Sequence, residues 1–337
     1  MANAKLRFGL WYAFRNPPAW RVDYADLYAA HLRQIAWAET IGYDDVWLTE
    51  HHFCDDGHAP SILPLAAAVA ATTTRIRIGT GVLLLPLYNA VRVAEDGATI
   101  DILSRGRFEL GVGIGYRPQE FAGLGESTAA RATRMDEGLE VIRALWSGQP
   151  VHYDGRHYQL DGLTLEPPPV QRPRPPLWVG GFAPAAARRA ARLGDGFIGT
   201  GEMVEQSRLF REEWSRLGRS GEARLAGGHF WLVVSHDPAA TFAAIAPHVL
   251  YQINVYNQWL ADAGQALFPP VENPAQLREL GILACVTPQE AVDRIGAYAE
   301  QTGIERYYTW TVPPGYPVER MDEHLALFAE AVMPHFR

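Results

Sequence analysis

Eight short β-prone runs alternate with helical patterns from one end of the chain to the other, and this alternation restricts the fold more than any other feature. The runs read as strands at 6–13, 45–50, 75–84, 107–113, 176–181, 195–200, 228–235 and 305–312. Helices are expected at 61–73, 89–104, 127–147, 184–193, 204–218, 287–302 and 319–334. Between the first two strands, "DYADLYAAHLRQIAWAETIG" places Leu27, Ala30, Ile35 and Ala38 near helical spacing and offers Gly42 as a stop. Strands that each lead into a helix form a parallel sheet, and eight such units close as an α/β (β/α)8 TIM barrel more readily than as an open doubly wound sheet. All 337 residues then form one domain.

Two segments exceed the minimal unit. Residues 151–169, "VHYDGRHYQLDGLTLEPPP", alternate around Asp154 and Gly155 and predict a surface hairpin after the fourth βα unit. Residues 236–286, rich in aromatics and containing "FPPVENP", predict a long insertion after strand seven, of the length used for lids and binding loops. The prolines of 167–176 mark a rigid connection inside the barrel, since the strand "LWVGG" follows at once.

Composition removes several classes of function. Hydrophobic residues at 48% and charged ones at 20% suit a globular protein with a large core. A formal charge of −8 with scattered Lys and Arg gives no face for nucleic acid, and no apolar run suits a membrane span or signal peptide, so a cytoplasmic location is expected. Two cysteines, Cys54 and Cys285, are too few for a disulfide framework or a thiolate metal site. Cys54 reads as a small neighbour of a pocket.

The chemistry concentrates at strand ends. In "VWLTEHHF", residues 46–53, a buried strand ends in Glu50, His51 and His52, and barrel strands deliver such residues to one mouth. Either imidazole there is a candidate catalytic group, able to donate to an oxyanion or take a proton near neutral pH. Adjacent side chains on extended backbone point to opposite faces, so the pair does not suit one metal ion, and no metal site is expected. In strand three, "RIRIGTGVLLLP" carries Gly79 and Gly81 among branched residues; in strand four, Gly111, Gly113 and Gly115 fall on one face and predict a wall bare of side chains that would accept a flat ring. Strand five ends at Gly180 and Gly181 before a helix starting near Pro184, an arrangement whose free N–H groups suit a phosphate. On helix three, Arg92 has Glu95 and Asp96 at helical spacing, which reads as a salt network with Asp101 and Arg107 nearby.

Four of these segments in order, "WLTEHHF", "IGTGVLLLP", "VRVAEDGATIDILSRGRFELGVGIG" and "PLWVGGFAPAAARRAARLGDGF", resemble the bacterial luciferase-like flavin-dependent monooxygenases. The resemblance implies a (β/α)8 barrel, frequently a homodimer, that uses reduced FMN and O2 through a C4a-(hydro)peroxyflavin to oxygenate a small, largely apolar organic substrate. It implies a separate NAD(P)H-dependent flavin reductase, and the chain carries no nicotinamide-binding GxGxxG unit of its own. His51 matches the histidine that assists the flavin chemistry, with His52 beside it. Glu50, Gly81, Val82, Gly113, Gly115 and Tyr116 fall at cofactor-facing positions, Gly81 and Val82 being the pair that lies under the flavin ring, often through a cis peptide bond. Gly180, Gly181, Phe182 and Ala183 match the phosphate turn, although Ala183 and Pro184 stand where serine or threonine often helps. Arg117 is a candidate substitute for a luciferase phosphate contact absent at Ile114. Trp11, Phe14, Phe53, Trp231 and Trp310 are expected to line the substrate pocket, with Tyr251, Tyr256 and Trp259 of the insertion. One branch of the family uses the deazaflavin coenzyme for hydride transfer; its sugar-phosphate dehydrogenases carry an acid where this chain has Tyr116. A flavin-binding protein without turnover is the alternative of another class.

Overall fold

The computed structural model describes residues 5–265 and 269–337; residues 266–268, inside the expected insertion, lie outside the described part. Eight parallel strands close into a barrel: β1 (Arg7–Tyr12), β2 (Asp45–Leu48), β3 (Arg77–Thr80), β4 (Phe108–Gly113), β5 (Leu177–Gly180), β6 (Gly196–Ile198), β7 (Arg224–Gly227) and β8 (Arg306–Trp310). Each strand pairs with its sequence neighbours, β1 pairs with β8, and Ile78 opposite Phe108 joins β3 to β4. The helices of the outer ring are α1 (Tyr24–Thr40), α2 (Ile62–Thr72), α3 (Ala90–Leu103), α4 (Arg131–Leu145), α5 (Pro184–Leu193), α6 (Val204–Arg216), α7 (Pro288–Thr302) and α8 (Asp322–Ala331). Their starts follow local chemistry. Asp23 accepts from Ala25 and Asp26 at the head of α1, and Thr287 and Glu290 form a capping box on α7.

The expected hairpin is present, with Val151–Asp154 antiparallel to Gln159–Leu163. The seventh strand differs from expectation. "WLVV", within the predicted 228–235, is not a barrel strand: Trp231–Val234 pairs in parallel with Leu283–Val286 outside the barrel, and the barrel uses Arg224–Gly227 instead. The β-branched run is the stronger strand signal, but the barrel position calls for small residues, because Ala226 packs with Trp178 and Tyr308 in the interior. The insertion accordingly begins at the outer strand. It contains a helix the sequence reading did not resolve, Pro238–Asp262, referred to below as the insertion helix, and a short helix Pro274–Glu279.

Inside, the barrel is filled in layers. At one level Arg306 donates to Glu109 (2.9 Å) and stands 3.7 Å from Asp45, while Trp178 and Trp47 donate their indole N–H to those two acids, each at 2.6 Å. Glycines on neighbouring strands admit the indoles: a methyl group at Gly79 would come within 2.2 Å of Trp47, and one at Gly196 within 2.4 Å of Trp178. Of the charges on α3, Arg92 pairs with Glu95 (2.5 Å) and Asp96 (3.5 Å) on the surface. Asp101 and Arg107 are instead buried, Asp101 accepting from Val170 and Gln171, and Arg107 donating to Thr73, Ile76 and Ala70.

Candidate active site

The segment after β2 lays Glu50, His51 and His52 along the mouth, and extended backbone sends the two imidazoles to different partners. His51 Nδ1 lies 2.8 Å from Glu120 Oε1, an acid on the short helix Pro118–Gly123 that follows β4. Glu120 Oε1 also accepts from the His52 backbone N–H (2.9 Å) and from Arg117 (3.1 Å). Burial pushes the Glu120 carboxyl up, but hydrogen bonds from His51 and His52 together with Arg117 hold it below the usual glutamate range. Burial pulls His51 down, against the opposing pull of Glu120. A neutral imidazole facing a carboxylate places its proton on Nδ1 and a lone pair on Nε2, which makes no hydrogen bond among the described residues.

The ring of His51 is enclosed by aromatic groups. Trp259 and Tyr256 of the insertion helix lie 4.8 and 5.8 Å from it between ring centroids, Tyr116 lies at 5.6 Å and His58 at 5.0 Å. His58, pulled well down by burial, contacts Thr49 Oγ1 and the Tyr256 hydroxyl at 3.4 Å each. Arg15, just past β1, is buried beside it and donates to Asp56 (2.5 Å); Asp56 also accepts from the Tyr251 hydroxyl (3.2 Å), tying the insertion helix to the mouth.

The other expected site residues divide into those that reach the mouth and those spent elsewhere. His52 Nε2 meets Glu50 Oε1 (2.9 Å), and Glu50 also accepts from the Tyr88 hydroxyl (3.0 Å) and the Leu84 N–H (3.3 Å). This pair braces the segment after β3; Glu50 Oε1 takes two of these bonds and Oε2 one, and His52 meets Tyr88 and Phe53 where His51 meets Trp259 and Tyr256. Arg117 Nη1 donates to Glu120 and to the His52 carbonyl (2.6 Å), and the guanidinium lies on the face of Trp259, 4.1 Å from its centroid. Cys54 donates to the His52 carbonyl (3.3 Å), and burial pushes its thiol up to about 12. Phe14 belongs to the wall between β1 and α1, stacked on His31 at 4.5 Å, and Phe53 is 59% exposed against Gly123.

Trp11, Trp310 and Trp231 do assemble. Trp11 stacks on Trp310 at 4.6 Å, Trp310 faces Trp231 at 6.4 Å, and the Trp11 indole donates to the Gly81 carbonyl (2.7 Å). Trp231 is fully buried and hydrogen-bonded to Gln252 of the insertion helix (3.1 Å), so it supports the stack from behind. The Gly81–Val82 peptide bond is cis. The expected bare glycine wall is not bare. A methyl group at Gly113 would come within 2.5 Å of Val82 Cγ2, and one at Gly180 within 2.8 Å of Val82 Cγ1. These glycines make room for Val82, which stands half-buried in the mouth. Gly115 packs against Phe121 instead. At the end of β5, Gly181 has φ +149°, Phe182 is 48% exposed, and Ala183 heads α5 without a side-chain cap.

Glu120, Arg15, Asp56 and His58 were missed by sequence reasoning. The pattern "RPQEF", a proline that can start a helix with an acid two residues on and three after an arginine, was the available signal for Glu120. Among the described residues no cluster of His, Cys, Asp and Glu could hold a metal ion, and no helix is long and apolar enough to cross a membrane.

The family model described as luciferase-like monooxygenase matches residues 6–306. The F420-dependent glucose-6-phosphate dehydrogenase of Microbacterium testaceum is 37% identical over 319 residues, covering 89% of this chain and 91% of its own. The oxygenase component of the flavin-dependent trigonelline monooxygenase of Acinetobacter baylyi is 26% identical over 320 residues, covering 89% and 87%. Among solved structures, the monooxygenase RslO1 from Streptomyces bottropensis superposes with a TM-score of 0.81 at 24% identity, covering 98% of this chain and 100% of that one.

Proposed function

The chain belongs to the luciferase-like monooxygenase family, a group that includes F420-dependent oxidoreductases as well as flavin monooxygenases, and from that premise we propose that it is a reduced-FMN-dependent monooxygenase acting on a small organic substrate. The observation that carries the reading is the neutral His51 base, aimed by Glu120 and roofed by Tyr256 and Trp259 of the insertion helix.

The residues at the mouth fit a flavin. Val82, seated on Gly113 and Gly180, offers an apolar surface for a flat ring, and the uncapped start of α5 after Gly180–Ala183 offers backbone N–H groups to a phosphate. When bound, reduced FMN would supply the electrons that activate O2. This chain's own residues would do the rest. Trp11 holds the Gly81 carbonyl so that Val82 keeps its place; the aromatic roof keeps water from the reacting atoms; His51 Nε2 accepts a proton from the substrate or returns it, while Glu120 stabilises the imidazolium formed. Reduced flavin would come from a separate NAD(P)H-dependent reductase, as the description of the trigonelline enzyme as an oxygenase component suggests for that relative. A homodimer in the cytoplasm is part of the same proposal.

A second reading has its own support. The 37% identity to an F420-dependent dehydrogenase favours hydride transfer with the deazaflavin coenzyme. Tyr116, half-buried where the sugar-phosphate enzymes of that branch carry an acid, weighs against their reaction. Anaerobic titration with reduced FMN and, separately, with reduced deazaflavin coenzyme, followed by mixing with oxygenated buffer, separates the two. The monooxygenase reading expects reduced FMN to bind and its oxidation to slow through a transient absorbance; binding of the deazaflavin alone would overturn it. With His51→Ala, flavin affinity should persist and turnover fall by about 10²-fold or more, the usual contribution of a general base. Unchanged turnover would remove His51 from the chemistry.

A further inference from the structure

Arg15 is a buried cation that uses little of its hydrogen-bonding capacity. Its side chain is 1% exposed and its Nε donates to Asp56, yet among the described residues neither terminal nitrogen, Nη1 or Nη2, has an acceptor in hydrogen-bonding geometry, the Tyr251 hydroxyl standing close to the guanidinium. A guanidinium has five N–H donors in a fixed fork, so the four on Nη1 and Nη2 are buried without a well-placed acceptor among the described residues. Such groups are rare in folded proteins and call for an explanation; Arg306 Nε and Nη1 share the feature inside the packed barrel, whereas Arg15 stands at the mouth beside the groups that enclose His51.

The surroundings indicate what that is. Three rings of the insertion helix face the guanidinium, Tyr251, Tyr256 and Trp259, with centroids 5.6, 5.3 and 5.5 Å from its central carbon. Arg117 rests on the other part of the same roof at 4.1 Å from Trp259, so Arg15 stands well back from the rings by comparison. Two further buried nitrogens nearby are without partners, His58 Nδ1 and Arg117 Nε. The unused groups of the two arginines are donors, Glu120 Oε2 on the far side of His51 is the unused acceptor, and the rings between them are flat and apolar. The aromatic and imidazole neighbours Tyr256, Trp259 and His58 are the same groups that enclose His51.

We infer that Arg15 is a specificity-determining residue: its two Nη groups form a fork for the carboxylate of the substrate, whose planar body packs under Tyr251, Tyr256 and Trp259 with its reacting end at His51. Bidentate pairing of guanidinium and carboxylate matches the geometry of both groups, and Asp56 orients the fork through Nε without occupying it. The inference rests on the mouth being the substrate site and adds the chemical class of the substrate, a small flat carboxylic acid.

The test needs no flavin, so its failure is distinct from failure of the cofactor reading. Benzoate, phenylacetate and nicotinate are compared with benzamide, phenylacetamide and nicotinamide by calorimetry and saturation-transfer NMR on the wild type. Arg15→Lys and the double variant Arg15→Gln/Asp56→Asn follow; the latter removes both charges so that no buried carboxylate is stranded. At least one acid should bind the wild type tenfold or more tighter than its amide, and the preference should drop below threefold in the double variant and weaken in Arg15→Lys. Equal binding of acids and amides, absence of acid binding at millimolar concentration, or a preference that survives the double variant would each overturn the inference. The acid-to-amide ratio on the wild type decides even if a variant fails to fold.

Discussion

Two buried histidines outside the site hold the mouth in place, and acid should release both. His31 on α1 stacks on Phe14, the residue before Arg15, and donates its Nδ1 proton to the Leu27 carbonyl (2.8 Å). His324 on α8 accepts through Nδ1 from the N–H of Val234 (2.9 Å), on the strand that starts the insertion. Burial pulls each down to about 4 from an ordinary 6.5. The folded pKa lies below the unfolded one, so the unfolded chain takes up these protons first; the stability is complete above 6.5 and is lost as pH falls towards 4. For one such group the loss is roughly 0.2 kcal/mol at pH 7 and roughly 2 kcal/mol at pH 5. Asp45, pushed up to about 6 by burial, works in the opposite direction and offsets on the order of 1 kcal/mol over that interval. A difference measurement cancels it. His324→Asn keeps an oxygen to accept from Val234 and cannot titrate. Urea unfolding at pH 7 and pH 5 should therefore show the wild type losing about 2 kcal/mol more than the variant. Equal acid losses in the two proteins would refute the reasoning.

Other perturbations address the barrel interior and the cofactor face. Gly113→Ala puts a methyl group 2.5 Å from Val82 Cγ2, so Val82 must tilt; overpacking of about 1–3 kcal/mol should appear as a lower thermal midpoint and a roughly tenfold weaker affinity for reduced FMN by titration. Arg306→Leu leaves Asp45 without its cation and Glu109 with Arg77 alone, and should cost about 3–5 kcal/mol in chemical unfolding, whereas a structural rather than electrostatic role would make Arg306→Lys equally damaging. Burial pushes both Cys54 and Cys285 up to about 12, so native protein at pH 8 should resist iodoacetamide at both positions by mass spectrometry and react only on unfolding.

Much of the frame was legible because it depends on short-range patterns. Alternation of strand and helix implies the barrel, and the period-two geometry of extended backbone sends His51 and His52 to different partners. The seventh strand was misplaced because strand propensity reports a half-buried pleated surface, and "WLVV" meets that description in a small outer sheet as well as it would in a barrel. Glu120 lies 69 residues from His51 in the chain and meets it only through closure between β3 and β4. Arg15 was invisible for a different reason. An arginine before "NPP" reads as an exposed loop residue, and only its burial beside Asp56 gives it meaning. The glycines of β4 were read as vacant wall, but the side chain that fills the vacancy comes from Val82, on the other side of a cis bond that no propensity anticipates.

The balance of charge at the mouth explains why these missed residues matter together. Arg15 is matched by Asp56 and Arg117 by Glu120, while burial pulls the pKa of His51 and His58 down, which disfavours their charged forms. A site so compensated can be dry without carrying an isolated charge, which is what protection of a reduced cofactor from water demands. The compensation is supplied by loops after β1, β2 and β4, whereas the covering rings come from the insertion helix. Tyr251 also hydrogen-bonds a member of these pairs, Asp56. Removing that hydroxyl leaves every mouth charge paired but loosens the roof, so Tyr251→Phe should raise hydrogen peroxide release relative to substrate oxidation while flavin affinity stays the same. If peroxide release and substrate oxidation keep their wild-type ratio, dryness at the mouth is set by the barrel and not by the insertion.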